Sequence, residues 1–169
     1  MTDHHNGLEC VRLVQDFLAE NEVIEPLILV LKQFLKVCNF NNPYFGGLSS
    51  YALFLMIVSF LQSQDCPKEI EKVNLGRLLV NFLTYYASFD HENMGIACRL
   101  PASRHPLEFK ANYYPILNVS PDILTHQKFM LMQSTSVQID DPLNGHNNVG
   151  KSSFKFYDIK VRPPSRVMS

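Results

Sequence analysis

The segment from Leu48 to Gln62, LSSYALFLMIVSFLQ, constrains the fold more than any other. Past Ser49 and Ser50 it is apolar on nearly every side of a helix, and such a helix is stable only where other elements cover all its faces. The apolar run from Ala52 to Val58 is far short of the roughly 18 residues that a membrane span needs, so protein must do the covering. The rest of the chain has to supply helices that pack around this one.

Three segments have the pattern for it. Apolar residues recur with a helical period at Leu8, Val11, Val14, Phe17 and Leu18, with Asn6 placed to cap that helix. A second helix is predicted from Val23 to Cys38, with Ile24, Leu27, Ile28, Leu31, Phe34, Leu35 and Cys38 as its apolar set and Pro26 tolerable only in its first turn. Another is predicted from Leu75 to Ala87, with Leu78, Leu79, Phe82 and Leu83 facing inward. Asn39 to Gly47 reads as a loop and Asp65 to Val73 as a polar link.

The second half changes character. Met94 to Arg99 and Thr135 to Ile139 read as short strands, the latter ending at Asp140-Asp141-Pro142. Between them, Leu100 to Leu124 carries Pro101, Pro106, Pro115 and Pro121 and is predicted to be irregular, a candidate for functional or partner-binding loops. A last helix is predicted to begin near Val149 or Gly150. The fold class expected is mainly α with a small two-stranded β element (α+β), as one domain over residues 1–169.

The chain carries a formal net charge of -1, which excludes a global basic field for nucleic acid, so any RNA contact must be local. Cys10, Cys38, Cys66 and Cys98 lie far apart without a C-x-x-C pair, which points to free thiols in a reducing compartment rather than zinc ligands. No secretory signal or membrane span is legible, and an intracellular protein is expected.

Gly145 to Ser152, GHNNVGKS, matches the P-loop pattern letter for letter. A P-loop opens a βαβ unit on a parallel sheet, and the short stretch after Ser152, with Pro163-Pro164 in it, offers no later strand for such a unit. The match is expected to be accidental.

Three other segments suit nucleotide chemistry. In Leu31-Lys32-Gln33-Phe34-Leu35-Lys36, Lys32 and Lys36 share one helix face, and two ammonium groups there suit a triphosphate. Solvent-facing lysines are the structural alternative. In Asn41-Asn42-Pro43-Tyr44-Phe45-Gly46-Gly47-Leu48-Ser49-Ser50-Tyr51, a Gly-Gly turn leads to a helix N-terminus, whose N–H groups favour an anion. Ser50 can add a donor and Tyr51 a ring face for a base, unless Ser49 is merely a cap and Tyr51 merely core. Asp140 to Gly150, DDPLNGHNNVG, is an amide-rich loop that suits reading a base edge, or is simply a polar turn.

The order LKQFLK, NPYFGGLSSY, LLxNF near Gly76, ENMGI, then DPLNGHNNVGKSSF resembles the central, PAP-associated region of noncanonical poly(A) polymerases and terminal uridylyltransferases, nearest the TRAMP type. The likeness runs from about Asn6 to Tyr157. It implies the helical substrate-binding fold of poly(A) polymerases and 2-5A synthetases, and a transferase function in RNA processing. By this resemblance Lys32 and Lys36 would reach the triphosphate, Ser50 would contact phosphate and Tyr51 would stack on the base. Asp141, Asn144 and Asn147 would form the nucleotide-recognition motif. Adenylating relatives tend to carry Asn where Asn147 falls and uridine-selective ones His, which favours ATP over UTP; a register one residue earlier would put His146 there and reverse the choice.

The family's chemistry also needs a Gly-Ser loop and three carboxylates holding Mg²⁺ or Mn²⁺. No G-S followed by D-x-D is present, and Asp90-His91-Glu92 falls where the family has a non-catalytic segment. No catalytic or metal-binding residue is therefore expected in this chain, and the catalytic nucleotidyltransferase domain is expected to lie outside it. The resemblance implies RNA 3′ ends as substrate, RNA 3′-end polyadenylation as the process, an RNA-binding partner protein, and a nuclear or cytoplasmic location, the nucleus favoured. A catalytically inactive module that binds a partner through Pro101 to Pro121 is the other reading.

Overall fold

The computed structural model describes residues 3–64, 67–104, 113–115 and 136–156, without the side chains of 3–6, 113–115 and 146. In chain order these form α1 (Asp3–Glu20), α2 (Ile24–Val37), a 3-10 turn at Pro43–Phe45, α3 (Ser50–Ser63), a second 3-10 turn at Ile70–Lys72, and α4 (Leu75–Ser88). Four short strands complete them: β1 (Met94–Ile96), β2 (Tyr113–Pro115), β3 (Asp140–Asp141) and β4 (Asn144–Asn148). The architecture is mainly α with little β, as the sequence predicts.

Helix α3 is the axis of the core. Every residue from Ala52 to Leu61 is buried. Leu13 and Phe17 of α1, Leu27, Leu31 and Leu35 of α2, and Leu78, Phe82 and Tyr86 of α4 join it in one apolar cluster. Aromatic edges lock the contacts: Phe17 meets Phe54 at 5.9 Å, and Phe60 meets Phe82 at 5.4 Å. The phenol of Tyr86 donates to the Met56 carbonyl at 2.8 Å, so a polar group deep in the core is satisfied. At the far end of α3, Gln62 accepts from the Arg99 N–H and donates to the Arg99 carbonyl, tying the helix to the segment after β1.

Several boundaries differ from the predicted ones. Helix α1 starts at Asp3, so Asn6 lies inside it and is not its cap. The partner of β1 is Tyr113–Pro115, antiparallel, not the segment ending at Ile139. That segment reaches β1 only through an isolated parallel bridge between Ile96 and Ile139, and Thr135 falls outside the described residues. The amide-rich Asp140 to Asn148 is a hairpin rather than a loop between strand and helix. Residues 149–155 run on as turns, so no helix begins at Val149 or Gly150. Of the proline-rich stretch, Pro101 is buried, the Ala102 N–H donates to Glu20 and Arg104 pairs with Asp16, so its first residues clasp α1. Apart from 113–115, residues 105–124 of that stretch lie outside the described residues.

The apparent P-loop is dismantled by this geometry. Gly145 to Asn148 belong to an antiparallel strand, and Lys151 sits in a turn beyond it. The final glycine of the match, Gly150, has a packing role: a Cβ there would sit 2.1 Å from the Val137 carbonyl oxygen. Nothing lies within 4 Å of a Cβ built on Gly145. Gly150→Ala is therefore expected to lower stability by about 1–3 kcal/mol in urea unfolding, and Gly145→Ala to stay within about 0.5 kcal/mol of the parent. Equal effects at the two positions would contradict the close approach of residues 137 and 150.

Candidate nucleotide-binding site

The start of α3 is where the core helix emerges from cover. Ser49 takes the extended N-cap conformation and its hydroxyl accepts from the Ala52 N–H at 3.0 Å. The other N–H groups of the first turn have no partner inside the helix and carry the positive end of its dipole. They open onto a cleft of about 270 Å³ between α2 and α3, lined by Lys32, Gln33, Lys36, Asn41, Ser49 and Ser50 together with Leu29, Leu35, Leu48 and Leu53. Lys32 and Lys36 are exposed on α2, and no ion pair engages either among the described residues. The cleft thus combines two free ammonium groups, a helix N-terminus and two hydroxyls, a set that favours an anion.

Tyr51 turns the other way. Its hydroxyl donates to Asp141 Oδ1 at 3.2 Å, across 90 residues of sequence. The same oxygen accepts from the Leu143 N–H at 3.0 Å, an Asx-type turn that starts the hairpin loop. Asp141 Oδ2 accepts from the Asn147 side-chain amide at 3.0 Å. One carboxylate therefore joins the tyrosine on α3 to the asparagine on β4. Burial, and after it the charge of Asp141, push the Tyr51 phenol far above its usual range, so it is a neutral donor. The Cys10 thiol of α1 hydrogen-bonds the same hydroxyl, and burial raises that thiol too.

The hairpin itself is held by Asn148. Its Oδ1 accepts from the Ile139 N–H at 2.9 Å and from the Gly150 N–H at 2.8 Å. Asn144 sits opposite Asp141 in the register and is exposed, as is Asn147.

The sequence-predicted residues thus fall into two groups. Lys32, Lys36 and Ser50 share the cleft; Tyr51, Asp141 and Asn147 share a hydrogen-bond chain; Asn144 lies at the hairpin corner. Adjacent residues Ser50 and Tyr51 join the groups. Gln33, Asn41 and Ser49 in the cleft, Cys10 against Tyr51 and Asn148 as the hairpin pin went unnoticed as site residues. Asn41 had a signal, since it opens the Asn-Asn-Pro turn; Cys10 had none. Among the described residues no group of three or more His, Cys, Asp or Glu could hold a metal ion. The carboxylate of Asp141 accepts from three donors of the chain itself.

No family profile matches the chain. It is 32% identical over 163 residues to the poly(A) RNA polymerase gld-4 of Caenorhabditis elegans, a match covering 90% of this chain and 17% of that protein. The solved polymerase core of TRAMP, an RNA surveillance complex, superposes with a TM-score of 0.66 at 26% identity, over 90% of this chain and 44% of that one. Cid1 poly(U) polymerase, crystallised as a histidine-to-asparagine mutant bound to MgATP, shares the fold with a TM-score of 0.58 at 22% identity, over 86% of this chain and 50% of that one. Over about nine-tenths of its length the chain is similar to noncanonical poly(A) polymerases. It spans 17% of the length of gld-4 and 25% of that of the Saccharomyces cerevisiae poly(A) RNA polymerase protein 2. Its four helices and hairpin are the part of the polymerase fold seen here, and no described helix is long and apolar enough to cross a membrane.

The Cys98 thiol is pushed up to about 12 by burial, with the charges of Asp141 and Asp140 adding to it, from an ordinary 9.0. A folded value above the unfolded one means that this group contributes stability below about pH 9, which is lost as pH rises toward 12. Cys98 is expected to resist iodoacetamide at pH 8 in the folded chain and to react after denaturation, read by mass spectrometry. Cys98→Val should flatten the fall of stability between pH 9 and 12. Native labelling as fast as at a free thiol would contradict its burial.

Proposed function

We propose that this chain is the central, nucleotide-recognising domain of a template-independent RNA 3′-nucleotidyltransferase, which adds AMP from ATP to RNA 3′ ends. The observation that carries the reading is the cleft in which Lys32, Lys36 and Ser50 meet the N-terminus of α3, one residue from the Tyr51–Asp141–Asn147 chain. Lys32, Lys36 and the α3 N-terminus would hold the triphosphate, with Ser50 donating to it. The half-buried Tyr51 ring would stack on the base, and its hydroxyl, held by Asp141, fixes the ring's angle. Asn147 and Asn144 would read the base edge. The Asn147 amide donates to Asp141, which leaves one amide hydrogen and the carbonyl with which it would meet the base.

The choice of ATP over UTP rests on Asn147, and a Cid1 mutant that replaces histidine by asparagine has been seen with MgATP. Transfer itself belongs to a catalytic nucleotidyltransferase domain, whose carboxylates would hold Mg²⁺ or Mn²⁺. RNA, that domain and an RNA-binding protein of the TRAMP kind are the partners proposed, with the nucleus as the location favoured.

Calorimetry with ATP, UTP and GTP in Mg²⁺ tests the reading on the 169-residue chain. ATP is expected to bind more tightly than UTP, Lys32→Ala or Lys36→Ala to weaken it by roughly tenfold each, and Asn147→His to shift preference toward UTP. Binding abolished by Lys151→Ala but indifferent to Lys32→Ala would overturn the assignment of the phosphate site. A folded chain that binds no nucleotide would leave an inactive partner-binding module as the better reading.

A further inference from the structure

The turn before α3 and the turns after β4 build one surface that the cleft does not use. The Lys155 N–H donates to the Gly46 carbonyl at 3.0 Å, and the Ser153 hydroxyl, fully buried, donates to the Gly47 carbonyl at 3.2 Å. Gly46 has a φ of +84°, and a Cβ there would fall 2.4 Å from the ring of Phe154, so that ring lies directly against the glycine. Gly47 is equally closed, since its Cβ would meet the Phe40 carbonyl oxygen at 2.3 Å. Backbone this tightly joined presents its side chains rigidly.

What it presents is aromatic. Tyr44 is 93% exposed, Phe45 66% and Phe154 49%, while the neighbouring Phe40 and Phe156 enter the core. Three large rings in water on a fixed platform are unusual unless a partner covers them. The exposed cations Lys151 and Lys155 occupy the same turns, and neither 42–48 nor 150–156 contains an acidic residue. Flat rings beside ammonium groups that no ion pair engages among the described residues complement an unpaired polynucleotide: bases stack on the rings whatever their sequence, and phosphates meet the lysines. The same turn runs on through Leu48 and Ser49 into the wall of the cleft, so a strand lying here is close to the nucleotide.

We propose that Tyr44, Phe45 and Phe154, flanked by Lys151 and Lys155, form a stacking platform for single-stranded RNA. The proposal rests on the reading of the chain as part of an RNA 3′-nucleotidyltransferase for its biological setting, and stands on its own geometry for binding.

The chain contains no tryptophan, so Phe45→Trp reports from this surface alone. Its fluorescence is expected to be quenched by a 12-nucleotide oligo(A) and not by the same RNA as a duplex or by heparin. In anisotropy titrations of labelled oligo(A), Tyr44→Ala with Phe45→Ala should weaken binding by roughly tenfold or more, and Phe45→Tyr should keep it. Lys151→Ala and Lys155→Ala should each lower the salt slope by about 0.7. Equal quenching by heparin, unchanged affinity in the double variant, or no binding of oligo(A) by a folded chain would each overturn the platform. So would a double variant whose only effect is to shift the chain from dimer to monomer in light scattering, since a second copy would then be the occupant. ATP binding that fails while oligo(A) still quenches Phe45→Trp would sink the proposed nucleotide site and leave the platform standing.

Discussion

The burial of α3 is the constraint on which the structure depends. A helix buried on all sides from Ala52 to Leu61 cannot offer a functional side chain along its length. Chemistry can occur only at its ends, and the two ends are treated differently. The C-terminal end is closed by the reciprocal hydrogen bonds between Gln62 and Arg99. The N-terminal end is left open onto the cleft, with Ser49 capping one N–H and Ser50 exposed. Covering the helix with α1, α2 and α4 brings Lys32 and Lys36 beside that open end, so the packing that stabilises the fold also assembles the cleft proposed to take the triphosphate.

A second dependence runs through Asp141. Its carboxylate is half-buried and accepts from Tyr51, from the Leu143 N–H and from Asn147. The proposed stacking residue and the proposed base reader are therefore held by one group, and neither can move without disturbing the other. The hairpin that carries Asp141 has little apolar content, and strands so rich in Asn, Asp and Gly are weak by propensity. Side-chain bonds from Asn148 and the close approach of Gly150 to Val137 hold it instead. This makes the proposed recognition element the polar, side-chain-pinned part of a molecule whose other half is an apolar helical core.

Legibility followed the same division. The helices were readable to within one or two residues for α2, α3 and α4, because apolar periodicity is a direct imprint of burial and each helix has a large face to bury. Asn6 misled as a cap because a local signal cannot reveal that the helix starts earlier. The strands were poorly readable. Ile139 lies buried beside Ile96 and looks like strand sequence, yet it makes only one bridge, while Tyr113–Pro115, masked by its proline, pairs with β1. Asp140 to Asn148 reads as turn chemistry throughout, and its two short strands are created by pairing rather than by propensity. Lys32, Lys36, Ser50, Tyr51, Asp141, Asn144 and Asn147 were all nameable from motif order; their split into a cleft group and a hydrogen-bond chain was not.

The sequence by itself determined that a central apolar helix must be wrapped by others, that its N-terminus comes after a glycine turn, and that lysines four apart share one face of α2. Those properties are local, set by periodicity and by backbone freedom at particular residues. Only the tertiary structure decided that Lys36 and Ser50 line one cleft, that Tyr51 turns away from it to Asp141, that Cys10 reaches the same hydroxyl, and that a stretch spelling a P-loop is half strand and half turn. Each of these is a contact between segments far apart in the chain, settled by which elements pack together, and no pattern within a single segment encodes it.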